Sequence, residues 1–271
     1  MEQKLNITED AIDYVKEKYK KKFGSLENFD KDFQLYLELP VFKANENIHE
    51  VFQNMNKETQ GEPDVEARFV KGDSLRYGVH WIMRSFATYY MTEVFKAMKI
   101  DLDDPNVREN SLLKSTPGRI VKMWCGNDSE DTTELGSGRW NMEPYISCFP
   151  NTSDDHSVIT KEVDVVSCCS HHFLPFSTFN GGKAIISYKP NKYVLGISKL
   201  QRFTNWAAKR FWLQEDLTQY LGKTIARVAD TEDVYVRLEG LVHGCETFRG
   251  ASSKDGSLTT EYRSGCFKNK D

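Results

Sequence analysis

Residues 167–176 read SCCSHHFLPF, which sets two cysteines and two histidines between positions 168 and 172. Thiolate and imidazole are donors that zinc favours, and a Cys-x-x-His pair supplies two of them. That spacing occurs twice here, as Cys168 with His171 and as Cys169 with His172. Far along the chain VHGC, residues 242–245, offers a third donor in Cys245. Alternate side chains of an extended strand share a face, so His243 is expected to look into the same cavity as Cys245. Cys, His and Cys leave the fourth tetrahedral position to water, the arrangement of a catalytic rather than a structural zinc. Cys125, Cys148 and Cys266 sit in no ligand-like pair. An imidazole left over beside such a centre, with an unperturbed pKa of about 6.5, suits proton transfer near neutrality.

The rest of the chain must position these groups. Its 271 residues, 39% hydrophobic and 28% charged, suit one large globular domain or two small ones. A net charge of −4 gives nothing to attract nucleic acid or an anionic membrane, so an anionic ligand would need a local basic pocket. No apolar run approaches the roughly 18–20 residues of a membrane span. The start, MEQKLNITEDAIDYV, lacks the apolar region of a secretory signal, so the expectation is a cytoplasmic protein with reduced cysteines.

Periodicity then assigns elements. Ile12, Val15 and Tyr19 recur at helical spacing before Gly24, in a run whose lysines read as a solvated face, and residues 46–64 suggest a second short helix. Leu75, Val79, Ile82, Phe86, Tyr90 and Val94 mark a long amphipathic helix capped by Asp73 or Ser74. Thr116 and Pro117 open another, through Met123. Strands are expected over 145–149, 157–167, 183–190 and 233–248. Between the last two lie two consecutive helices, one with Leu200, Phe203 and Ala207 inward, the other with Leu213, Leu217, Tyr220, Leu221 and Ile225. Strands, two adjacent helices, then a strand imply an α+β fold with the helices on one face of an antiparallel sheet.

The stretches LLKSTPGRIVKMW, SCCSHHFLPF, YKPNKYVLGISKLQRF, LQEDLT and VHGCETFRG resemble the motif series of GTP cyclohydrolase I, in that family's order. The resemblance divides the chain into an N-terminal, mostly helical extension, residues 1–72, and a catalytic domain, residues 73–271. It implies the tunnelling fold: a four-stranded antiparallel sheet with two adjacent helices on one face, here preceded by N-terminal helices. It also implies self-association into a ring, a pentamer or two stacked pentamers, with sites between subunits. The reaction implied is conversion of GTP and water to 7,8-dihydroneopterin triphosphate and formate, with Zn2+ as cofactor.

Carried over residue by residue, the resemblance makes Cys169, His172 and Cys245 the zinc ligands and leaves Cys168 a bystander. His171, His243 and Ser198 become catalytic. Glu215, with Gln214 beside it, reads the guanine. Arg119, Lys122, Lys199, Arg202 and Arg249 hold the triphosphate, in line with the suitability of such side chains for phosphate. Ser170 stands where the family usually has glutamate, and LTTEYRSGCF resembles the family's closing threonine-rich strand but carries Glu261 and Arg263. Two other readings fit these residues less well. One is a relative of the same fold with other purine chemistry, such as a nitrile reductase, for which neither a nucleophile signature nor a dinucleotide loop is present. The other is an inactive regulatory homologue.

Overall fold

Four antiparallel strands frame the part of the chain that carries the cysteines. They are β2 (Ile159–Val163), β5 (Lys183–Tyr188), β8 (Val234–His243) and β9 (Leu258–Arg263), side by side in that order. The structure, a computed structural model, describes residues 5–48, 50, 74–104, 113–126, 134–141, 143–152, 157–179, 181–248 and 256–268. Beyond residue 241, β8 exchanges partners and pairs with β4 (Pro175–Ser177), which pairs in turn with β3 (Val166–Cys169). The parallel strand β7 (Phe211–Trp212) completes a seven-stranded sheet. That sheet is larger than the four-stranded one expected. A separate ribbon joins β1 (Cys148–Pro150) to β6 (Tyr193–Leu195).

Period-two alternation decides which face is covered. Ala184, Ile186 and Tyr188 of β5 and Val234, Val236 and Leu238 of β8 point inward and are fully buried. They meet helix α5 (Ile197–Ala208) through Leu200, Phe203 and Trp206, and helix α6 (Gln214–Ala229) through Leu217, Leu221 and Ile225, in one core. At about 1.5–3 kcal/mol for each such side chain, this layer is the main source of stability for the unit. Gly222 lets α6 approach β9, because a Cβ there would lie 2.1 Å from the Tyr262 ring. The opposite sheet face is polar. Arg237 bridges to Glu239 (3.1 Å) and Glu261 (3.3 Å), and Arg263 to Glu261 (2.8 Å). The unusual Glu261 and Arg263 therefore belong to a charged ladder on the uncovered face.

The chain divides into two compact units, residues 1–43 with 48–134, and residues 44–47 with 135–271. The first is helical: α1 (Glu9–Phe23), α2 (Phe29–Glu38), α3 (Ser74–Ala97) and α4 (Thr116–Cys125). Thr8 caps α1 by accepting from Ala11 N, and Gly24 ends it in the left-handed conformation at φ 79°. Ala11, Val15 and Tyr19 pack with Phe29, Ile82 and Phe86. Tyr19 donates to the buried Asp32, whose carboxyl burial raises to about 6. The long helix thus packs with the N-terminal helices, so the compact boundary near 134 differs from the boundary of resemblance near 72. Most of the helix expected over 46–64 lies outside the described residues. Ser115, one residue earlier than expected, is the N-cap of α4. No described helix is long and apolar enough to cross a membrane.

Candidate active site

Cys169 is the last residue of β3, and the chain reverses at once into β4. Both its main-chain groups are committed there: its N–H donates to Leu174 O (2.8 Å) and its carbonyl accepts from Phe173 N (2.8 Å). The turn closes with Phe173 at φ 55°, a left-handed conformation costing a non-glycine residue roughly 1–2 kcal/mol. The Phe173 ring meets the Phe211 ring edge-on, 4.7 Å between centroids. His171 and His172 ride on this turn with ring centroids 4.1 Å apart, His171 exposed and His172 half-buried.

Across the sheet, β8 ends at His243 and the chain bends into a single helical turn, Gly244–Thr247. Thr247 Oγ1 donates back to His243 O (3.2 Å) and Phe248 N to Gly244 O (2.9 Å). The strand expected over 233–248 is therefore shorter. Cys245 joins His243 because the chain curls, and not because the two alternate along a strand. Arg249 lies outside the described residues.

These two chain reversals bring three donors together. The ligand atoms of Cys169, His243 and Cys245 all lie within 4.8 Å of one another, the group among the described residues that could hold a metal ion. Cys245 Sγ is 3.9 Å from Cys169 Sγ and 4.0 Å from His243 Nδ1. A disulfide would need about 2.05 Å. Two thiolates at about 2.3 Å on a tetrahedral zinc stand roughly 3.8 Å apart, so the sulfur pair fits a metal edge. Burial first, then the charge of Cys169, push the Cys245 thiol up, and a bound cation would relieve both. His172 is not in this close group, although the sequence puts it there; His243 is.

His243 is largely buried and stacks on Phe176 at 4.5 Å with 10° between planes. Burial lowers its pKa against the opposing charges of Glu215 and Glu246. Gln214 and Glu215 open α6 directly after β7, so they stand at the metal end of the sheet. Gln214 is buried and Glu215 exposed. Ser198 and Lys199 stand in the first turn of α5, a 12-residue helix about 18 Å long whose C-terminus leads through β7 to Cys169, and Arg202 lies halfway along it. Gly196 is the N-cap of α5. Among the described residues no hydrogen bond or ion pair joins those three to the cysteines. Arg119 is exposed and Lys122 pairs with Glu134 at 3.3 Å, both within the helical unit. Phe176, Thr218 and Thr260, which fix His243 and Gln214, carry no signal in the sequence beyond apolar or β-branched strand and helix character.

A family model described as GTP cyclohydrolase I matches residues 91–271. Among curated proteins, the GTP cyclohydrolase 1 of Edwardsiella ictaluri is 32% identical over 181 residues, 66% of this chain and 74% of that protein. That of Wigglesworthia glossinidia brevipalpis is 33% identical over 183 residues, 67% of this chain and 76% of the relative. That of Shewanella oneidensis is 28% identical over 232 residues, 85% of this chain and 94% of the relative. This last alignment is longer than residues 73–271, so it extends to positions before residue 73. A solved structure, the archaeosine synthase QueF-Like in the apo form, covers 41% of this chain at 16% identity with a TM-score of 0.33, too distant to carry an argument.

Proposed function

This chain belongs to the GTP cyclohydrolase I family, and we propose that it converts GTP and water to 7,8-dihydroneopterin triphosphate and formate at a zinc centre built on Cys169 and Cys245. The observation that carries the metal is the thiol pair 3.9 Å apart, drawn together from two distant segments with an imidazole beside it. Bound zinc would act as the Lewis acid that activates water near neutral pH for addition at C8 of the purine. His172 is the third ligand in this reading, as the family motif implies.

The chain's own groups do the rest. Ring opening requires protons at the imidazole nitrogens of the base, a role assigned to His243, beside the thiol pair, and to His171, on the turn that follows Cys169. Glu215, exposed at the metal end, accepts from N1–H and the exocyclic amine of guanine, a pair that adenine does not present. Gln214, buried beside it, faces His243 rather than solvent. Lys199, Arg202, Arg119, Lys122 and Arg249 gather the cations that an acidic protein needs for a triphosphate, and Ser198 assists ring reclosure.

Ser198 and Lys199 stand at the end of α5 away from the segment that leads to β7 and Cys169, which supports a site completed by another subunit. Phe149, 58% exposed, lies beside Gly196, and Ile197 is 68% exposed, so an apolar patch surrounds Ser198. Among the described residues β2 and β9 are unpaired on their outer edges, and edge-to-edge pairing would close a ring of the kind the family motif implies. The charged ladder on the uncovered face suits a water-filled interior. We take the fold to be the tunnelling fold on the same grounds.

Metal analysis separates ligand from proton donor. His172→Ala is expected to lose zinc, whereas His243→Ala keeps it and turns over GTP about 10²-fold or more slowly, the usual scale of lost acid–base help. A second reading is favoured by the 4.0 Å between His243 Nδ1 and Cys245 Sγ, namely that His243 is the third ligand. Zinc lost from His243→Ala and kept by His172→Ala would establish it.

A further inference from the structure

Gln214 is only 1% exposed, and both ends of its amide are engaged. Its Nε2 donates towards Leu238 O (3.2 Å), Leu258 O (3.2 Å) and Thr260 Oγ1 (3.0 Å). Its Oε1 lies 2.8 Å from His243 Nε2. Exchanging the amide ends would set a carbonyl oxygen against two main-chain carbonyls, so the orientation is fixed by acceptor repulsion. The neighbouring hydroxyls add a direction. Thr218 Oγ1 donates to Gln214 O (2.8 Å), which uses its only hydrogen. Thr260 Oγ1, 2.7 Å from Thr218 Oγ1, must then donate to it, leaving its own lone pairs for Gln214 Nε2. The two hydrogens of Nε2 are shared among its three acceptors, and each threonine hydroxyl has one destination. The partner of His243 Nε2 is an oxygen that can only accept.

We propose that Gln214 is a positioning residue, not a base reader, and that it holds His243 in the tautomer with hydrogen on Nε2. The lone pair is then on Nδ1, aimed at the thiol pair from 4.0 Å. Stacking on Phe176 keeps the ring from turning over. Nδ1 is thus the one nitrogen of His243 able to bind metal or exchange a proton, whichever of these the ring does. Gln214 has no donor left for guanine. Groups that orient a histidine through its second nitrogen commonly matter by about 10- to 100-fold in metal affinity or activity. The kinetic consequence rests on the GTP cyclohydrolase reading; the tautomer does not.

The test uses full-length protein with 15N-labelled histidine, metal-free and zinc-loaded. NMR of the ring resonances that vanish in His243→Ala should report hydrogen on Nε2 in wild type; hydrogen on Nδ1 would overturn the proposal without reference to any activity. Gln214→Met should lose that signal's protection from exchange and lower kcat for GTP by about 10- to 100-fold, with KM changed by less than about threefold. Gln214→Glu keeps an acceptor oxygen opposite His243, so it should retain the Nε2 hydrogen, although its second oxygen then faces Leu238 O and Leu258 O and lowers stability. A rise in KM with kcat unchanged in both variants would instead make Gln214 a substrate contact. If wild type itself fails to turn over GTP, the functional reading fails while the tautomer is still decided by the spectra.

Discussion

Cys169→Ser is expected to lose zinc and activity together, whereas Cys168→Ser keeps both. The two residues are neighbours on β3 and so face opposite sides of the sheet. Cys169 Sγ meets Cys245 Sγ at 3.9 Å. Cys168 is fully buried between Pro175 of β4 and Phe211 of β7, and burial, with Cys169 adding, pushes its thiol up to about 12. A thiol of that kind stays protonated at neutral pH and is no ligand. Removing the Cys169 thiolate leaves two protein donors, and loss of the metal-activated nucleophile should slow turnover by about 10³-fold or more. Metal analysis beside GTP turnover on both variants checks it. Zinc that follows Cys168 would shift the register by one and make His171 the ligand.

Glu215→Gln should lower kcat/KM for GTP by roughly 30- to 1,000-fold, or about 2–4 kcal/mol. The substitution keeps size but turns an acceptor oxygen into a donor that faces the N–H groups of guanine. Glu215 is exposed on the first turn of α6, one residue from Gln214, and its charge acts on His243. It therefore stands at the metal end without touching a metal donor, and zinc content and assembly size should not change. Steady-state kinetics with metal analysis and sizing of the same preparation measure this. A fully active variant would reduce Glu215 to a surface carboxylate of the helix.

Residue types and spacing revealed the chemistry better than the geometry. Cys169, Cys245 and His243 were all visible as donors, because thiols and imidazoles this dense have few other uses. The reason for pairing His243 with Cys245 was not the one the structure gives. An apolar run through residue 248 reads as continuous strand, and only Gly244 hints at the curl that brings the two together. Likewise 157–167 reads as one strand, yet it breaks between β2 and β3. There Gln201, from α5, accepts from Asp164 N (2.9 Å) and donates to Asp164 O (3.0 Å), a long-range contact that no local pattern encodes. β4 is three residues beginning at Pro175, a residue that argues against a strand except at its first position. Helices α3, α5 and α6 carry their buried stripes in plain periodicity, whereas α2 (Phe29–Glu38) was not among the helices expected. The surroundings of Gln214 are hidden for a different reason. Its neighbour reads as a base contact, and the acceptors that tie it down come from β8 and β9, 24 and 46 residues away.

The most direct test of the account is the product formed by wild-type protein. Zinc-loaded protein incubated with GTP should release formate and an equimolar pterin, the latter read as fluorescence after oxidation, and a chelator should stop both until zinc is restored. GTP recovered intact from protein carrying a full complement of zinc, in its assembled state, would contradict it.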